Sequence, residues 1–205
     1  KRQGDTIIEN FIKEDAELTK TVLDVIAFDI GLLTKRLIEE VGVDGIYLSV
    51  QNLQDSRLSR KEYDHVIKSG ELHILNRAIS SGGTNILHIC GYEGATNDIA
   101  YYTGYPADVI NWAVELEGVS LSEGRELFGG KTVLGGFRNT ENDLLYQGSK
   151  EAIQNKVREI LDETGRKGVV IGANCTVPND IAAERIAWVK EAVADELVLK
   201  EAVGF

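Results

Sequence analysis

The chain contains no methionine, not even at its start, and only two prolines and two cysteines among its 205 residues. The missing initiator suggests a fragment of a longer protein. Two cysteines, Cys90 and Cys175, are too few for the disulfide framework of a small secreted domain. In an intracellular chain such a pair points to metal binding, catalysis or plain packing. There is also no run of the roughly 18 apolar residues that a membrane span requires, and no secretory signal pattern at the front. Positive charge is scarce: 22 Lys and Arg against 33 Asp and Glu give a formal net charge of −11. That balance argues against nucleic acid and anionic membrane surfaces as partners. A cytoplasmic location is the expectation.

What is present is enough apolar sequence for a substantial core, 43% of residues, and the length suits one domain over residues 1–205. Apolar residues switch repeatedly between two periods. "AELTKTVLDVIAFDIGLLTKRLIEEVG" has helical spacing and predicts Leu18, Val22, Val25, Ile26, Leu33, Leu37 and Ile38 as its core positions. A strand over Asp44 to Val50 follows, then a polar loop and a helix closed by Gly82-Gly83. "TNILHIC", "ADVINWA", "KTVLGGF" and "KGVVIGANC" read as four further strands, with helical segments between and after them. Ser149 is the expected N-cap of "SKEAIQNKVREILDETG" and Gly165 its stop. Strands this apolar predict a parallel sheet with helices over the outside. Five βα units fit an α/β fold, either an open doubly wound sheet or the carboxyl-terminal part of a (β/α)8 barrel. No G-x-G-x-x-G turn follows the first strand, as a dinucleotide fold would require. Both architectures put function at the carboxyl ends of the strands.

Those ends carry the chemistry. His88 and Cys90, two apart on a strand, project to one face, while Leu87 and Ile89 face the other. Cys175 ends a later strand. One imidazole and two thiols suit tetrahedral Zn²⁺ with a fourth position open. Two thiolates and a neutral imidazole cancel the ion's charge, so a substrate thiolate bound there stays electron-rich. Zinc would also help deprotonate that thiol, whose ordinary pKa is about 8.5. Water in the open position would instead favour hydroxide chemistry, and packing in the core is the plainer alternative for all three residues.

Other residues are weighed beside these. Gln51, on the same side of the first strand as Tyr47 and Ser49, is a candidate substrate contact at the mouth, or a strand-end hydrogen bond. Asn111 and Trp112 lie at another strand end, where Trp112 suits the wall of a flat pocket or core packing. Glu93 is either a neighbour supporting the ligands or a solvated carboxylate. Tyr101, Tyr102 and Tyr105 either roof the pocket or pack beneath their loop. His65 and His73 read as surface residues. "FGGKTVLGGF" lacks phosphate-loop spacing, and Gly135-Gly136 more simply permits close backbone approach.

Taken together, "GVDGIYLSVQ", "NILHICG", "DVINWAV", "TVLGGF" and "GVVIGANCTVPNDIAAERIAWVKEAV" resemble the uroporphyrinogen decarboxylase superfamily over nearly the whole chain. The resemblance implies a (β/α)8 barrel with about three more βα units upstream. The H-x-C pair and the distant cysteine resemble its corrinoid-dependent methyltransferase branch, of the methylcobamide:coenzyme M type. That implies zinc held by His88, Cys90 and Cys175, a small thiol substrate, and a methylated corrinoid donor on a partner protein. The chain departs from the decarboxylases where "ANCTVP" replaces a histidine-containing turn, and their tetrapyrrole-binding half has no counterpart here. Decarboxylation and a non-catalytic module docking a corrinoid protein are the alternatives. Unpaired strand edges would follow from a partial barrel, which implies either an upstream half or an oligomer.

Overall fold

The computed structural model describes residues 3–51, 58–92 and 96–203. Contacts group the chain into two compact units, 1–109 and 110–205. The first holds helices α1 (Gln3–Glu14) and α2 (Ala16–Arg36), a π-helical turn at Leu37–Val41, strand β1 (Tyr47–Val50), helices α3 (Arg60–Val66) and α4 (Lys68–Ser80), strand β2 (Ile86–Ile89) and a 3₁₀ helix at Ile99–Gly104. Strand β3 (Val109–Trp112) begins on its last residue. The second continues with α5 (Val114–Glu117), α6 (Leu121–Leu127), β4 (Thr132–Phe137), α7 (Leu144–Gln147), α8 (Lys150–Thr164), β5 (Val169–Ala173) and α9 (Ala183–Val203). The five strands follow one another in chain order in a single sheet. β1 pairs parallel with β2, and β4 parallel with β5.

The local signals explain most boundaries. Asp15 caps α2 by accepting from the Leu18 N–H at 2.9 Å. Ser59 and Ser120 form reciprocal capping boxes with Glu62 and Glu123, each satisfying two otherwise orphaned donors. Ser149 caps α8 as expected, and Gly165, with φ of 75°, ends it. The polar stretch expected as loop and then one helix holds two, α3 and α4. β1 is shorter than expected and starts at Tyr47, although parallel bonding begins earlier, with the Thr84 N–H on Asp44 O. In β2 and β3, seven of the eight residues are buried, the eighth being half-buried Ile86, the two-sided burial of a parallel sheet.

One core assignment is corrected. Leu18, Val22, Val25, Ile26 and Leu33 are exposed, and α2 instead buries Thr19, Ala27, Gly31 and Thr34. The reason is close helix packing. A Cβ on Gly70 of α4 would lie 3.1 Å from the Ala27 Cβ, and one on Gly31 would lie 2.9 Å from His73 Nε2. A seam that tight admits only small side chains, so the large apolar residues are turned away from α4. His73 is accordingly half-buried in that seam near Phe28, not on the surface. His65 is exposed and meets Glu17 at 2.7 Å.

Candidate metal centre

β2 delivers two of the three donor groups. Register pairs Ser49 of β1 with His88, and Leu87 and Ile89 are fully buried on the opposite face. His88 is buried too, at 3% exposure, and its ring stacks on that of Tyr47 with centroids 5.3 Å apart. Cys90 lies one residue past the strand, yet its backbone is fixed at both ends. Its N–H donates to Val50 O at 2.9 Å, and its carbonyl accepts from Asn97 Nδ2 at 3.1 Å. Glu93 lies outside the described residues.

β5 delivers the third. The chain bends at Asn174 and Cys175 directly after the strand, so the thiol stands at a carboxyl end, where parallel α/β folds put their chemistry. Both thiols are half-buried. A nitrogen with two sulfurs is a donor set that suits zinc.

The remaining candidates sort by burial. Gln51 is half-buried after β1, and its backbone carbonyl lies 2.9 Å from the Tyr63 hydroxyl. Trp112 is fully buried. Its Nε1 donates to Val119 O at 2.8 Å, its ring packs 6.1 Å from that of Phe128, and a Cβ on Gly124 would come within 2.2 Å of it. Core packing is thus what the structure gives Trp112. Asn111 is buried, its amide donating to Leu134 O and Ala173 O. Gly136 has φ of 109°, and a Cβ there would meet Ile160 at 2.5 Å, so the glycine pair serves close approach.

The tyrosines pack beneath their loop: Tyr101, Tyr102 and Tyr105 are all buried. Around them sits a carboxylate that the sequence did not flag. Glu71 of α4 accepts from the Tyr63 and Tyr105 hydroxyls, each at 2.6 Å. Loss of hydration raises its pKa above the ordinary 4.5, and the two tyrosine bonds offset part of that rise. Burial, with Glu71 close by, raises the Tyr63 and Tyr105 hydroxyls as well. Asn97 and Asn174 were also passed over. The only available sign of Asn174 was its place directly before Cys175.

No curated protein matches the chain. Among solved structures, a methyltransferase from Methanosarcina mazei superposes with a TM-score of 0.74 at 16% sequence identity, over 93% of this chain and 53% of that one. The chain thus spans about half the length of that neighbour, and at this identity the likeness speaks for the fold. The model of the family described as uroporphyrinogen decarboxylase (URO-D) matches residues 3–196. With its parallel strands and alternating helices of the (β/α)8 barrel type, the chain belongs to the uroporphyrinogen decarboxylase family.

Proposed function

We propose that this chain is the zinc-binding part of a methyltransferase that passes a methyl group from a methylated corrinoid to a small thiol. The carrying observation is the donor set itself, His88 and Cys90 at the carboxyl end of β2 and Cys175 directly after β5. The likeness to the Methanosarcina mazei methyltransferase supports the same class through its fold. Zinc, when bound, would act as a Lewis acid that keeps a coordinating thiol deprotonated near neutral pH.

The chain's own residues have four tasks in this reading. His88, Cys90 and Cys175 bind the ion and, because they number three, leave room for the substrate sulfur. Tyr47 limits the orientation of the His88 imidazole by stacking on it. Asn97 and Val50 fix the Cys90 backbone, so little reorganisation is needed when the ion arrives. Gln51, beyond the strand that carries Tyr47, is the proposed substrate contact. The corrinoid belongs to a partner protein.

Elemental analysis of purified protein tests the metal. About one zinc per chain is expected, and Cys175→Ser should lose most of it. Metal at background in both proteins would overturn the reading. The family's description favours one second reading, decarboxylation of a carboxylated tetrapyrrole. Carbon dioxide release from such a substrate by zinc-free protein would establish it. Methyl transfer to a thiol that depends on zinc would exclude it.

A further inference from the structure

The bend that carries Cys175 is clamped from both sides. Upstream stands Asn174, buried at 3% exposure. Its N–H donates to Phe137 O at 2.8 Å, which extends the β4–β5 ladder one residue past β5. Its side-chain Nδ2 donates to Glu115 Oε2 at 2.5 Å, and its Oδ1 accepts from the Gly136 N–H at 3.4 Å. Downstream, Asn139 Nδ2 donates to Thr176 O at 2.8 Å. The residue before Cys175 and the residue after it are therefore both tethered.

Glu115 is itself exposed, immediately after β3 and within the short α5. Its carboxylate reaches Asn174 across β4, and a charged acceptor makes the stronger kind of hydrogen bond. An asparagine whose side chain is held by two bonds, one of them to a carboxylate, cannot change rotamer without breaking one in a buried place. The direction in which the next residue leaves the strand is fixed with it.

We infer that Asn174, locked by Glu115, is a positioning residue that orients Cys175 for metal binding. The inference rests on the zinc reading and adds to it the groups that pre-set one ligand. A cysteine on a loose bend would have to be ordered by the ion itself, and that cost would appear directly in metal affinity. Hydrogen-bond partners standing behind metal ligands are typically worth about 10–100-fold in affinity.

A swap of donor and acceptor tests it. Asn174→Asp removes the amide donor and sets a second carboxylate against Glu115. Adding Glu115→Gln restores the bond with its direction reversed. Zinc affinity, measured by competition with a chromogenic chelator, should fall about 10–100-fold in Asn174→Asp and return most of the way in the double variant. Asn139→Ala, on the exposed side of the clamp, should weaken binding in the same direction. Affinity unchanged in Asn174→Asp, or not recovered by the swap, overturns the inference.

If the wild-type protein binds no zinc, the metal reading fails and the clamp is judged on the metal-free chain. Alkylation of Cys175 by iodoacetamide, separated from Cys90 by peptide mass, should then run about tenfold faster in Asn174→Asp as the bend opens locally. The swap should slow it again. Equal rates in all three proteins would overturn the clamp by itself.

Discussion

Leu87, His88, Ile89 and Cys90 alternate between two faces, and that parity separates packing from chemistry. Leu87 and Ile89 have no exposed surface, so replacing either by alanine should cost about 2–5 kcal/mol in urea unfolding. His88→Ala should cost less in the metal-free protein and show its main effect in zinc content. Glu71 gives a pH-dependent prediction. Its carboxyl, desolvated beneath the tyrosines, is held above its ordinary value. The folded chain thus holds this proton more tightly than the unfolded chain. The contribution is fully present below the ordinary value of 4.5 and is lost as pH rises through the folded value. Urea midpoints from pH 4 to 8 should show Glu71→Gln gaining on wild type as pH increases. A constant difference across that range would show that the carboxyl titrates normally.

At the scale of elements, the contact of α6 with β3 sets two effects against each other. Gly124 lies inside a helix, where alanine is normally favoured by about 1 kcal/mol. Here the added Cβ would come 2.2 Å from the buried Trp112 ring, and overpacking of that kind costs about 1–3 kcal/mol. Overpacking should win, so Gly124→Ala is expected to lower the thermal midpoint. Ser120→Ala removes the capping box at the start of the same helix and should cost about 1 kcal/mol. The Ser149 cap of α8 was legible in advance, because a cap involves four consecutive residues. The seam between α2 and α4 was not. Helical spacing marks two candidate stripes on α2, one of Leu and Val and one of Thr, Ala and Gly. Only the glycine facing it on α4 selects the second.

For the molecule as a whole, that selection leaves Leu18, Val22, Val25 and Leu33 of α2 between 50% and 60% exposed. An apolar stripe of this extent marks an interaction surface or an aggregation liability. The chain alone is expected to bind a hydrophobic dye and to associate with rising concentration. Val22→Ser combined with Val25→Ser should reduce both while changing stability by only about 0.5 kcal/mol per site. Dye fluorescence and light scattering over a concentration series check this. Unchanged dye binding in the double variant would show that the stripe is covered in solution.

The amino-acid sequence by itself determined the alternation of strands and helices, the parity of His88 and Cys90, and the caps of α8. Each follows from the backbone geometry of a few neighbouring residues, so a local pattern suffices. Tertiary structure alone decided which stripe of α2 is buried, that Trp112 packs against Gly124 and Phe128, and that Asn174 meets Glu115. Those outcomes depend on partners farther along the chain, and no short-range period encodes a contact whose other half lies a dozen or more residues away.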